Sequence, residues 1–133
     1  MALVARGVLG FLALLALDRG DVDEAEQLGD EALRLVRRDE GRWGTFGPLT
    51  ALARAARARG NLRRAGVLWG AVEAENERAP SRAWLRWRAE RAGPLLDETD
   101  LEFSAAVREG RQLEIWDAVA IALGELELPQ TVP

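Results

Sequence analysis

Sliding the chain along itself by 40 residues, the distance from Gly20 to Gly60, brings two segments into register. Leu9, Leu12, Ala13, Ala16, Gly20, Asp21, Val22, Ala25 and Leu28 align with Leu49, Leu52, Ala53, Ala56, Gly60, Asn61, Leu62, Ala65 and Leu68. A period of this size is the signature of stacked supersecondary units, each too small to bury its own apolar face. Each copy reads as a helix with apolar and small residues three and four apart. The helix stops at a glycine, which reaches the left-handed C-terminal conformation without strain. An Asp or Asn then caps a second helix. Asp21 and Glu24 have capping-box spacing, and the alanines allow close helix approach.

The same spacing rules predict helices at about 3–18, 22–38, 47–59, 62–78, 82–92, 100–109 and 115–127. Pro48 fits a first helical turn, Ser81 can cap the fifth helix, Pro94 ends it, and Thr99 with Glu102 has capping-box spacing. Arg38 to Gly47, with Gly41, Gly44 and Gly47, reads as a flexible connector, and the tail 128–133 as frayed. No alternating apolar–polar run argues for a strand, so the fold is expected to be all-α. One domain over 1–127 is expected, with repeats at about 5–40 and 45–79 and a helical cap at 81–127.

The repeat resembles the tetratricopeptide repeat over about residues 5–78. Gly20 and Gly60 match that family's turn glycine, and Ala25 and Ala65 its helix-B alanine. Ala32 matches the later small position, where the second copy has Val72. The period is 40 rather than 34, Leu9 and Ala16 stand at the large aromatic positions, and the closing proline is missing. The resemblance implies TPR-like antiparallel hairpins in a short right-handed superhelix. From about residue 60 to 126 a second likeness runs in order: Leu68-Trp69-Gly70-Ala71 with Glu73-Ala74, then Phe103, Ala106 and Glu109-Gly110-Arg111, then Asp117 to Ala120 and Leu123. This resembles the C-terminal end of the TPR-like region in large bacterial ATPase and LuxR-type transcription regulators. It implies a sensing or scaffolding segment whose nucleotide site and DNA-binding helix-turn-helix lie in other domains.

Composition narrows the chemistry. With no histidine, no cysteine and 18 basic residues that are all arginine, the chain lacks imidazole, thiol and amine catalysts. The Gly41–Gly47 stretch has no phosphate-loop lysine, and Asp21-Val22-Asp23 lacks the rest of a calcium loop. The acid clusters Asp23-Glu24-Glu26, Asp30-Glu31, Glu73-Glu75-Glu77 and Asp97-Glu98-Asp100 read as solvated or capping groups. No enzyme, cofactor or metal site is expected. Charge is segregated, with net values of −5 for residues 1–33, +8 for 34–91 and −7 for 92–133. The basic middle reads either as an anion- or nucleic-acid-binding belt or as helix-forming arginine neutralised by the acidic ends. The latter is preferred, because no nucleic-acid recognition motif is present.

Val8 to Leu17 is a ten-residue apolar run after Arg6. It is too short to span a membrane, and the Leu17-Asp18-Arg19-Gly20 that follows is a poor signal-peptide cleavage site. A cytoplasmic protein with no membrane association is expected. Leu9, Leu12, Ala13 and Ala16 would serve the first hairpin, which leaves Val4, Val8, Phe11 and Leu15 as a second apolar stripe. A helix apolar all round is expected to be buried on both sides, either by a preceding repeat or by a second chain in a homodimer. Among the five tryptophans, Trp69 reads as core and Trp116 as an anchor of the last helix. Trp84 and Trp87, with Arg82, Arg86, Arg88 and Arg91 around them, either pin the fifth helix down or form a partner surface.

The function expected from these residues is non-catalytic. It is a protein–protein interaction or effector-sensing module, which the second resemblance places in a bacterial transcription regulator. A small-molecule effector fits that reading, and nucleic acid is not expected to bind through this segment. The alternative is a helical anion- or nucleic-acid-binding protein that uses the Arg-rich belt 34–91.

Overall fold

The computed structural model describes the backbone of residues 2–39, 41–78 and 80–130, and among these the side chains of all but residues 2–7 and 39. The described residues form eight α-helices and one 3₁₀ turn, with no strand. The helices are α1 (Ala2–Asp18), α2 (Val22–Asp39), α3 (Phe46–Ala58), α4 (Leu62–Glu77), α5 (Arg82–Arg91), α6 (Gly93–Leu96), α7 (Leu101–Gly110) and α8 (Ile115–Ala122). None is long and apolar enough to cross a membrane.

The two repeat turns are alike bond for bond. Gly20 and Gly60 both sit at φ +82°. Gly20 N–H donates to the Leu17 carbonyl at 2.9 Å and Asp21 N–H to that of Ala16 at 2.8 Å. Gly60 and Asn61 repeat these bonds to Arg57 and Ala56 at 2.9 and 2.8 Å. This is the paired-bond Schellman closure that satisfies the orphan carbonyls of a helix end. The caps follow suit: Asp21 accepts from Glu24 N–H at 3.1 Å, and Asn61 from Arg64 N–H at 3.2 Å. α1 packs on α2 and α3, α2 on α3, and α3 on α4. Small residues permit this stacking, since a Cβ on Gly10 would lie 3.3 Å from Pro48 Cδ and one on Gly29 3.0 Å from Leu52.

The most extensive helix pair is α4 with α7. Gly66 and Gly70 on α4 meet Ala106, Val107 and Gly110 on α7 so closely that backbones touch. A methyl on Gly66 would stand 2.6 Å from the Ala106 Cβ, and one on Gly70 or Gly110 would overlap a facing carbonyl oxygen. The main core lies where α3, α4, α7 and α8 meet, with Leu49, Leu68, Val72, Leu95, Ile115 and Ile121 at 0–1% exposure. A smaller cluster of Ala13, Leu14 and Ala51 lies between α1 and α3.

Several boundaries differ from the sequence reading. The connector is ordered from Arg42 to Thr45 as a 3₁₀ turn, closed by the Thr45 hydroxyl donating to the Arg42 carbonyl at 2.6 Å. An extra turn, α6, opens around Pro94. Asp100 rather than Thr99 caps α7, accepting from Glu102 N–H at 2.8 Å. The last helix stops at Ala122 rather than 127, because Gly124 at φ +78° makes a third Schellman closure, with Glu125 N–H on the Ala120 carbonyl at 2.9 Å. Leu128, expected in a frayed tail, packs against the main core; residues 131–133 lie outside the described residues.

Candidate functional site

α5 reaches the repeats through few side chains. Ser81 caps it, accepting from Trp84 N–H at 3.0 Å. None of its residues is buried. Trp84 sits against Phe46 and Trp69 with ring centroids at 5.6 and 6.2 Å, and it stacks on Trp87 at 5.2 Å. Trp87 packs on the α1–α3 cluster. Trp43, 68% exposed, meets Phe46 edge-on at 5.9 Å. Trp43, Phe46, Trp84 and Trp87 wall a groove of about 300 Å³ between α5 and the α3–α4 hairpin. Asn76 and Ser81 are its polar lining residues. Asn76 is 2% exposed, and its Nδ2 donates to the Val72 carbonyl at 2.9 Å. The volume lies at the lower end of the range for small-molecule sites, and a mostly apolar lining with a few polar groups is typical of them.

The residues singled out around these tryptophans divide into two sets. Arg88 is committed inward: its Nε donates to Glu73 Oε1 at 2.8 Å, and its guanidinium lies 5.9 Å from the Trp69 ring centre. Arg91 covers the Phe11 ring at 5.0 Å, and its carbonyl accepts from Arg54 at 3.1 Å. Arg82 and Arg86 are exposed and form no ion pair with the described residues. They line a second depression with Ala83, Trp87 and Glu90, and it adjoins the groove through Ala83 and Trp87. Trp69 is buried, as expected of a core residue, and Trp116 is half-buried against the core. Trp43, Phe46 and Asn76 were not singled out from sequence. The Trp43-x-x-Phe46 spacing was the available signal, masked by the glycines around it.

The second apolar stripe lies on the outer face of α1. Val8, Phe11 and Leu12 are 47%, 45% and 39% exposed, while Leu15 is half-buried. Leu12 belongs to this stripe rather than to the hairpin face, where Leu14 is buried instead. The side chain of Val4 lies outside the described residues. A shift of 40 carries positions 8, 11, 12 and 15 onto Pro48, Ala51, Leu52 and Ala55, and all four are buried.

Many arginines of the basic middle pair with acids of the two ends. Arg54 pairs with Asp18 at 3.0 Å, Arg57 with Glu98 at 2.8 Å, Arg63 with Glu109 at 2.6 Å, and Arg59 with Glu26 and Asp23. Arg37 chelates Glu125, and Arg42 bridges Glu75 and Glu114. Arg64 is held by burial instead. Its guanidinium donates to the Ala122 carbonyl at 3.0 Å, capping α8, and desolvation lowers its pKa. The shifted carboxyl groups move away from neutrality. Arg111 holds Glu77 below the usual range, Arg37 does so for Glu125, and the Asp100 backbone N–H followed by Arg57 does so for Glu98. Among the described residues no group of three or more acidic side chains is placed to hold a metal ion.

Comparison with protein-family models, with curated proteins and with solved structures finds no match.

Proposed function

We propose that this chain is a non-catalytic, TPR-like helical-repeat interaction module in which α1 presents its outer stripe to a further antiparallel helical hairpin. One observation carries the reading: the 40-residue shift maps the exposed Val8, Phe11 and Leu12 onto Pro48, Ala51 and Leu52, which α1 and α2 cover on α3. Stacked repeats bury the same face at every step, and an end without a polar cap still needs a neighbour. Phe11 and Leu15 are larger than Ala51 and Ala55, so the incoming hairpin meets them with small residues, as Gly10 and Gly29 meet Pro48 and Leu52. The resemblance of Leu68–Ala74, Phe103, Ala106, Glu109–Arg111, Asp117–Ala120 and Leu123 to LuxR-type and ATPase regulators supports reading such a module as part of a bacterial transcription regulator. The pairing of Arg37, Arg42, Arg54, Arg57, Arg59 and Arg63 with acids from both ends leaves a nucleic-acid-binding belt over 34–91 without a specific observation in its favour.

The test is a chain carrying a second copy of residues 1–40 directly ahead of residue 1, which preserves the period. In the present chain Phe11→Asp is expected to change unfolding free energy by less than about 1 kcal/mol, because the site is half open and the new carboxylate faces Arg91. In the extended chain the same change is expected to cost about 3 kcal/mol, from lost burial and a desolvated charge. Equal costs in urea denaturation of the two chains would sink the stacking proposal.

A further inference from the structure

We infer that the aromatic groove takes a flat, largely apolar organic acid, with its ring system between the tryptophans and its anionic group on Arg82 and Arg86. The groove supplies the first half of this recognition. Trp43, Phe46, Trp84 and Trp87 present ring faces and edges around about 300 Å³, and no charged side chain lines it. Rings in such a box favour a flat apolar body. The neighbouring depression supplies the second half. It shares Ala83 and Trp87 with the groove and adds Arg82 and Arg86 one turn apart on α5.

Charge decides the sign of the ligand. Around the groove Arg42 and Arg78 are paired with Glu75, and Arg88 with Glu73. Arg82 and Arg86 form no ion pair with the described residues, and the acid beside them is the exposed Glu90. Two arginines against one carboxylate leave the described rim with net positive charge. It repels the quaternary ammonium groups that aromatic boxes otherwise accept and attracts a carboxylate or phosphate, for which arginine forks are suited.

Occupancy is coupled to α5. Trp84, Trp87, Arg82 and Arg86 all ride on this helix, whereas Trp43, Phe46 and Asn76 belong to the repeat side. The site exists only while α5 is docked, so a ligand favours the docked state by its differential affinity. That gives the module a means of sensing an effector. The inference rests on the groove and not on the α1 stripe, so it stands or falls apart from the stacking proposal.

The experiment is calorimetric titration of the full chain with 2-naphthoate and with its neutral amide, alongside amide exchange of α5. The acid is expected to bind at least about tenfold more tightly than the amide, the difference expected of a charge-assisted contact, and to slow exchange in α5. Arg82→Gln with Arg86→Gln should equalise the two probes. Ala83→Trp, at an exposed position of the shared wall, should abolish both while leaving helix content unchanged. Equal binding of acid and amide to the unaltered chain overturns the anionic rim. Binding that survives Ala83→Trp, or no binding of either probe, overturns the groove as the site.

Discussion

At the residue scale the glycines do two unrelated jobs. Gly20, Gly60 and Gly124 supply positive φ at helix ends, with nothing within 4 Å of a built Cβ. Gly66, Gly70 and Gly110 have ordinary helical backbones and serve only to let α4 and α7 touch. The first job is visible locally at Gly20 and Gly60, where a following Asp or Asn signals a new cap, but not at Gly124, which Glu125 follows. The second job is not visible locally, because what a missing Cβ makes room for lies some forty residues away in the chain. Gly70→Ala is therefore expected to destabilise by about 3 kcal/mol, since the obstruction is backbone and cannot swing aside. Gly47→Ala, in α3 with open space around it, should instead stabilise by about 0.5 kcal/mol through reduced unfolded-state entropy. Urea denaturation of both variants checks the contrast; a tolerated Gly70→Ala would mean that α4 and α7 are not in backbone contact.

At the scale of the element, α5 is the exception among the longer helices. The other helices of eight or more residues bury a continuous face, while α5 buries no residue and hangs from Trp84, Trp87, Arg88 and Arg91. Elements with few buried apolar contacts open at low free-energy cost. Amides of α5 should exchange faster than those of α3, α4 and α7. Trp84→Ala should bring α5 close to unprotected exchange while α3 and α4 keep their protection. If α3 and α4 lose protection together with α5, then α5 is part of the global folding unit and not a separable strap. The existence of α5 was legible from Ser81 and Pro94, and its tryptophans, read as either a pin or a partner surface, pack against the two apolar clusters. Which arginines remain outward was not legible, because Arg82, Arg86, Arg88 and Arg91 are alike until Glu73 and Phe11 are placed beside them.

At the scale of the whole molecule, the segregated charge of the sequence becomes a set of ion pairs between distant segments, such as Arg54 with Asp18 and Arg57 with Glu98. These pairs are mostly exposed, so each contributes little alone and is screened by salt. Their pH signature is nevertheless readable. Glu77, Glu98 and Glu125 have folded pKa values below the unfolded 4.5. A depressed carboxylate pKa contributes stability above the unfolded value, and that stability is lost as pH falls through the folded value. With no histidine or cysteine, no side chain with an unperturbed pKa titrates from about pH 6 to 8. The melting temperature should therefore be flat across that window and fall below about pH 4.5. Glu77→Gln should lower it at neutral pH and leave a shallower acid limb. A melting temperature that rises on acidification to pH 4 would show that these pairs contribute no stability.

What the sequence by itself determined is the helical hairpin repeated twice. Its signals are local: a glycine that must turn left-handed, a cap residue beside it, and apolar residues at helical spacing. Each acts within one or two turns of chain, so its meaning does not depend on distant residues. The tertiary structure alone decided three things: the α4–α7 backbone contact, the groove that joins Trp43 and Phe46 to Trp84 and Trp87, and which acid meets which arginine of the belt. Each needs two surfaces tens of residues apart to meet. A side chain's exposure, and hence its freedom to bind, is set by what packs over it and not by its own chemistry.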